Sequence, residues 1–372
     1  MDVCDVLIVG GGPAGSSCAW ALRHSGLDVL ILDRREFPRD KTCAGWVTPE
    51  VVEALQLDLN AYRAAELTLQ PITGFVSGTI GGAEVAVTYD EIVSYGIRRC
   101  QFDHHLLARS GARTRLGEPL KQLQRSGDRW IVNDAIETRL LVGAGGHFCP
   151  VARHFGARHD PAASVVAAQE IEFAVDDDSL ARGSVRAEVP ELFFCRDLIG
   201  YGWCFRKENY LNIGLGRLDA KDLGGHVREF CDFLRERGKI ACELPARFHG
   251  HAYQLYERVQ PRLVNEGALL IGDAAGLAYP QSGEGIRPAV ESGLIAARVI
   301  QEAQGRYAAE SLAPYGERIR ERFGPPAGGS VTDWLPNSWL RYLGAKLLAS
   351  RWYAKSVVLD RWFLHRGVPA LR

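Results

Sequence analysis

The run Asp5-Val6-Leu7-Ile8-Val9 is almost wholly aliphatic and stops at a triple glycine. A short apolar run without polar alternation predicts a strand buried on both faces, as in a parallel sheet. From Pro13 to Ser25, Ala, Cys, Trp and Leu recur at helical spacing, and Gly26 supplies the stop. Residues 27–32 predict a second buried strand, ending on Asp33, so the chain opens with a strand–helix–strand unit of about thirty residues. Residues 72–97 alternate and are rich in Gly and β-branched types, which predicts a hairpin around Val85-Ala86-Val87-Thr88-Tyr89. A helix is expected from Phe102 to Arg109, and strands at Trp130-Ile131-Val132 and Leu140-Leu141-Val142. Strand-like segments dominate 165–262, with a helix near 226–237 that carries Val227, Phe230, Phe233 and Leu234. Ala268-Leu269-Leu270-Ile271 predicts a third apolar strand, Gly285 to Ala303 a helix, and the tail from about 306 further helices broken at Pro325-Pro326-Ala327-Gly328-Gly329.

At 372 residues and 47% hydrophobic, the chain has material for two to three domains of the usual ~150 residues. The 44 Lys and Arg nearly cancel the 45 Asp and Glu, which argues against a nucleic-acid binder, since such domains are strongly basic. No stretch of about 18 apolar residues provides a spanning helix. Met1-Asp2-Val3-Cys4-Asp5 lacks the basic start of a signal peptide, so the expected location is cytoplasmic. The nine Cys include no C-x-x-C pair, so no metal site is expected and the thiols are expected reduced.

Gly10-Gly11-Gly12-Pro13-Ala14-Gly15 fits G-x-G-x-x-G: a tight turn at Gly10, close backbone approach to a pyrophosphate at Gly12, and close helix–strand packing at Gly15. The helix start at Pro13 and Ala14 then faces the phosphates, where free N–H groups and the dipole favour anions. Asp33 is placed to accept ribose hydroxyls, with Arg34 beside it, and an acid there opposes a 2′-phosphate. Downstream, Ile271-Gly272-Asp273-Ala274-Ala275-Gly276 runs a strand into a Gly-Asp turn. Asp273 can bind ribityl hydroxyls or cap its own helix. Two nucleotide-facing elements so far apart in the chain suggest one long cofactor threaded through the domain.

At these residues the chain resembles the FAD-dependent oxidoreductases of the geranylgeranyl reductase type, within the p-hydroxybenzoate-hydroxylase-like flavoprotein fold. The resemblance rests on the glycine loop with Asp33, on Arg99-Cys100-Gln101-Phe102-Asp103, on Tyr201-Gly202-Trp203-Cys204-Phe205, and on Gly272-Asp273-Ala274-Ala275-Gly276 with Gly283-Glu284-Gly285-Ile286. It implies an α/β fold: an FAD-binding Rossmann-like domain from 1–70, 98–153 and 263–305, an antiparallel-sheet substrate domain from 71–97 and 154–262, and a C-terminal helical region, 306–372. It also implies that Arg99 opens the helix beside the cofactor. Pro280 to Gly285 would pass along the flavin ring, and Gly285-Ile286 would present a helix start to it. Gly145 stands where the wider fold carries an Asp, so the expected electron donor is a separate reductase or carrier. The W-x-W-x-I-P signature of flavin halogenases is missing.

Cys43 lies where family reductases carry a Cys-Gly-Gly loop near the flavin, and the thiol either donates a proton or lines the pocket. Glu284 is a further catalytic candidate, or a capping acid. His147 is an acid/base candidate or a structural His, and His104-His105 are expected solvated or packed. Tyr201, Trp203 and Phe205 alternate, so on a strand they share one face. With Trp46 and Pro280 they form either the wall of a substrate pocket or sheet core. Two reactions fit. The first is reduction or dehydrogenation at carbon–carbon bonds of an apolar, isoprenoid-like substrate by hydride transfer at flavin N5. The second is a monooxygenase hydroxylating an aromatic or indole-like group, on a small molecule or a peptide, through a C4a-hydroperoxide. Residues 331–372 hold four of the eight Trp and a net charge of +5. This tail is read as a helical pair packed on the body, a cap over a hydrophobic channel, or a peripheral membrane contact.

Overall fold

The computed structural model describes residues 1–156, 165–256, 262–324, 344 and 346–371. The expected break at Pro325–Gly329, and Asp333, Trp334, Trp339, Arg341 and Arg372 of the tail, lie outside the described residues. Contacts divide the chain into two compact units: 1–40, 100–164 and 253–328 in the first, and 41–99, 165–252 and 329–372 in the second. Residues 41–70, grouped with the nucleotide-binding segments in the sequence reading, pack with the second unit. The tail is shared, its helices up to Phe323 packing in the first unit and its last residues in the second.

The first unit is built on an eight-stranded sheet. Asp2–Val9 lies parallel between Ile136–Gly143 and Val29–Leu32, with Ala268–Leu270 parallel beyond the first and Arg113–Arg115 parallel beyond the second. Val6 to Ile8, Leu30 to Leu32, Leu140 to Val142 and Ala268 to Leu270 are all buried, as unbroken aliphatic runs require when both faces are covered. The Trp130 strand, Arg129–Val132, pairs antiparallel with Ile136–Gly143. Helices Pro13–Leu22 and Ile286–Ala303 pack closely together. A Cβ on Gly293 would overlap the carbonyl oxygen of Ala14 and come 3.1 Å from the Cys18 amide, so the contact is backbone on backbone.

The second unit carries a seven-stranded sheet ordered His249–Gln254, Val165–Ala174, Tyr210–Arg217, Gly200–Lys207, Glu191–Phe194, Gly74–Thr79, Glu84–Thr88. Glu191–Phe194 and Gly74–Thr79 run parallel, and the hairpin expected around Val85 is Gly74–Thr79 with Glu84–Thr88. Alternation along Gly200–Lys207 separates two cores. Cys204 faces helix Leu223–Glu236 through Phe230, Phe233 and Leu234. Trp203 and Phe205 face the C-terminal helix Ala354–Phe363, where Ala354, Val358, Leu359 and Phe363 are fully buried. A small three-stranded sheet joins Trp46–Val47, Ser94–Ile97 and Leu69–Ile72. Among the described residues no helix is long and apolar enough to cross a membrane.

The helix contact at Gly293 sets one expectation. Gly293→Val forces helices Pro13–Leu22 and Ile286–Ala303 apart and destabilises the protein by about 2–3 kcal/mol. Urea unfolding with an unchanged midpoint would contradict that packing.

Candidate functional site

Four adjacent parallel strands of the first unit end at one edge of the sheet, since Val9 is level with Leu32 and Gly143, and Gly143 with Leu270. Gly10, Asp33, Ala144 and Gly272 therefore start four neighbouring loops. The chain leaves Asp2–Val9 toward Val29–Leu32 and later returns on the other side through Ile136–Gly143, so the strand order reverses here. In open α/β sheets ligands bind outside the carboxyl ends of strands at such a point.

Gly10 holds φ +117°, and a Cβ there would strike the Ala144 carbonyl, while a Cβ on Gly15 would strike the Gly10 carbonyl. Asp33 Oδ2 accepts the Gly11 N–H at 2.7 Å and Oδ1 the Arg35 N–H at 2.9 Å. Two backbone donors thus pin the carboxylate against the loop, and its remaining lone pairs are available to hydroxyls. Helix Pro13–Leu22 begins at Gly12 with no side-chain cap and no acid in its first turn. Uncovered N–H groups at a buried helix start suit an anion, so these residues fit a dinucleotide pyrophosphate. Arg34 is exposed. Arg39, which no motif in the sequence singles out, also reaches this loop. Its Nη2 lies 3.3 Å from where a Gly12 Cβ would stand, and its Nη1 is 3.2 Å from Asp103. Asp103 belongs to the quoted Arg99–Asp103 motif, but nothing local names its partner. Arg99 is buried and opens helix Arg99–Arg109.

The second turn comes close to the first. A Cβ on Gly272, at φ +61°, would lie 2.9 Å from the Ala14 methyl, and Asp273 Oδ1 is 3.2 Å from a Cβ position on Gly285. Gly272 N–H donates to Ser292 at 3.0 Å. The loop Pro280–Gly285 closes on itself, Gly283 donating to the Tyr279 carbonyl and Tyr279 to that of Glu284. Gly283 and Pro280 are half-buried, and Ile286 begins helix Ile286–Ala303. The Glu284 carboxyl turns onto this helix and accepts the Arg287 N–H at 2.7 Å. Burial raises it to about 7, against the pull of Arg287. Glu291, also buried, accepts from Arg287 (2.9 Å) on its own helix and from Arg322 (2.8 Å) on helix Pro314–Phe323, tying the two helices together. His147 is buried with its ring against Phe148. His104 is exposed and His105 half-buried.

The second unit gathers the aromatic candidates. Trp46 stacks on Phe205 at 4.9 Å, Tyr201 meets Trp203 at 6.0 Å, and Phe363 of the tail touches Trp46 and Tyr201. Trp46, Trp203 and Phe205 are buried in one cluster with Phe75 and Phe194. Pro280, expected with them, lies in the first unit's Gly283 loop. Among the described residues the buried indole N–H of Trp46 has no acceptor. Cys43 is half-buried, with Gly45 N–H directed at its Sγ at 3.4 Å.

Glu284 gives a pH dependence. A carboxyl raised in the folded protein from its ordinary 4.5 to about 7 binds its proton more tightly there than in the unfolded chain. Its stabilising contribution is therefore full below pH 4.5 and is lost as pH rises through 7. Glu284→Gln removes that loss, so the stability difference between variant and parent rises in favour of the variant from pH 5 to pH 7.5. Parallel stability curves from urea titrations at several pH values would sink this.

A family model described as FAD dependent oxidoreductase matches residues 5–78. Menaquinone reductase of Mycobacterium tuberculosis is 30% identical over 327 residues, which span 80% of this chain and 77% of that protein. Digeranylgeranylglycerophospholipid reductase of Methanocaldococcus jannaschii is 26% identical over 86% of this chain and 83% of its own. The crystal structure of a geranylgeranyl bacteriochlorophyll reductase-like protein from Thermoplasma acidophilum shares the fold, with a TM-score of 0.72 at 20% identity, over 100% of this chain and 93% of that one. With relatives matched along most of their length, the chain belongs to the FAD-dependent oxidoreductases of the geranylgeranyl reductase type.

Proposed function

We propose that this enzyme is a reductase acting on a carbon–carbon double bond of an apolar molecule with an isoprenoid chain. The carrying observation is the aromatic cluster of the second unit, where Trp46, Tyr201, Trp203 and Phe205 pack with Phe363 and the buried Trp46 indole N–H has no acceptor among the described residues. A buried donor without a partner is costly, so this face suits an apolar occupant that brings one oxygen acceptor. Relatives named as reductases of menaquinone and of digeranylgeranylglycerophospholipid, both molecules that carry isoprenoid chains, support this reading.

The roles proposed for this chain's residues follow from their placement. Gly10, Gly12, Pro13, Ala14 and Gly15 receive the pyrophosphate at the helix start, Asp33 a ribose, and Gly272-Asp273 the ribityl chain. Arg34, exposed beside Asp33, and Arg99 remain the weaker cofactor contacts, and Arg39 joins them as a cation at the loop. Gly283, Gly285 and Ile286 flank the ring. FAD, when bound and reduced, supplies the hydride at N5. Cys43 holds a proton at Sγ for the second carbon of the double bond, which balances the addition of one hydride and one proton. Glu284, capping its helix, sets the charge near the ring. Gly145 leaves no acid for the usual nicotinamide docking, so electrons arrive from a separate donor.

Anaerobic mixing of the reduced flavoprotein with a polyprenylated substrate tests the reaction. Reoxidation of the flavin by the substrate without oxygen, with saturated product, is the expected result. Hydroxylated product formed only with oxygen would establish the monooxygenase instead. Cys43→Ser is expected to lower turnover by about tenfold or more, as loss of a positioned proton donor does, and unchanged turnover would remove Cys43 from the chemistry.

We further infer that the tail touches an anionic lipid surface. Trp352 is 69% exposed and Leu347 45%, and Lys346, Arg351 and Lys355 are exposed around them, with no acid from 346 to 359. Exposed Trp and Leu among basic residues match a lipid interface. Vesicles containing phosphatidylglycerol are expected to carry the protein upward in flotation, and Trp352→Ser to weaken this. Equal recovery with neutral vesicles would overturn it.

A further inference from the structure

The Cys43 loop rests on a buried polar cluster that neither motif nor spacing suggested. Glu170 and Glu172 are two apart on strand Val165–Ala174 and so project from the same face, and Asn212 on the neighbouring strand stands opposite Glu172. The Trp203 indole donates to Asn212 Oδ1 at 2.7 Å, which orients the amide and turns its NH2 toward the acids. That NH2 lies 3.2 Å from Glu170 Oε2, 3.3 Å from Glu172 Oε1 and 3.1 Å from the Cys43 carbonyl. Glu170 Oε2 in turn accepts the Cys43 N–H at 2.7 Å. The residue bearing the thiol is thus held by both its backbone groups, the N–H by Glu170 and the carbonyl by Asn212. One turn further, Gly45 passes over Lys207 at φ +69°, where a Cβ would stand 2.5 Å from Nζ.

Charge is divided unevenly between the two acids. Lys207, 1% exposed, binds Glu172 at 2.7 Å, and Arg98 reaches the same carboxylate at 3.4 Å from the rim. Lys207 and Glu172 are the charges that act on Glu170, the first favouring its ionised form and the second opposing it. Glu172 is therefore held below the usual carboxylate range against its own burial, while among the described residues the donors to Glu170, from Cys43 and Asn212, are neutral.

We propose that Glu170 is the positioning residue for Cys43, holding the peptide that presents the thiol through a hydrogen bond that is strong when Glu170 is ionised and weak when it is protonated. Burial, opposed by Lys207, raises Glu170 to about 7, so the two states exchange near neutrality. A carboxylate accepts more strongly than a neutral carboxylic acid or amide. The Cys43 loop is accordingly firm above pH 7 and loose below it. The inference rests on the proposed role of Cys43 only for its effect on turnover, not for the clamp itself.

Hydrogen exchange in the flavin-bound protein, followed by mass spectrometry on the peptide spanning residues 41–46 and corrected for intrinsic rates, tests it directly. Protection of that peptide is expected to rise about tenfold between pH 6 and pH 8 in the parent. Glu170→Gln, which still accepts a hydrogen bond but cannot ionise, is expected to show the low-pH protection at every pH. Its turnover should lose the pH step near 7 with little change in KM. A parent with no such rise overturns the proposal, whether or not the variant folds, and so does a Glu170→Gln variant that keeps the rise. If the clamp behaves as expected while Cys43→Ser turns over normally, the positioning of the loop stands and the chemical role of Cys43 falls.

Discussion

The nucleotide half of this protein depends on how closely backbone can approach backbone at one edge of a parallel sheet. Gly10 crosses in front of Ala144, Gly15 lies against the Gly10 carbonyl, and Gly272 rests on Ala14. Each contact is too tight for a side chain, and together they draw three loops toward one helix start whose N–H groups have no side-chain cap. The carboxylate of Asp33 then serves the fold first, since both its oxygens hold backbone amides of that edge. A group that is already immobile costs little to order when a ligand arrives, which is how such edges become binding sites.

The second half is organised by a sheet with an apolar core on each face. Alternation along Gly200–Lys207 sends Cys204 to one core and Trp203 and Phe205 to the other. Polar chemistry in so apolar a setting has to be networked, because an unpaired buried charge is far more costly than a paired one. Glu170, Glu172, Asn212 and Lys207 meet that demand together, and the cost that remains falls on Glu170, whose proton is held near neutral pH. The same desolvation acts on Glu284 at a helix start of the other unit. Two buried acids titrating near 7 in one flavoenzyme are a physical basis for sensitivity to pH around neutrality.

Local signals made the opening strand–helix–strand unit, the glycine loop, Asp33, the Gly272-Asp273 turn and helix Leu223–Glu236 legible in the chain. Unbroken aliphatic runs, the 3.6-residue period and residues that alone fit a turn act over a few positions, so they can be read without knowing what lies opposite. The shared face of Tyr201, Trp203 and Phe205 was legible for the same reason, from the two-residue period of a strand. What covers that face was not. Only folding brings Phe363 onto it, divides the tail between two units, pairs Arg39 with Asp103, and sets Glu170 beneath Cys43. These partners lie far apart in the chain, and strand register and helix packing select them. Alternating acids on a strand look the same whether they face water or a buried amide, so the sequence by itself determined the frame and the cofactor loop, while the tertiary structure decided which side chains act together.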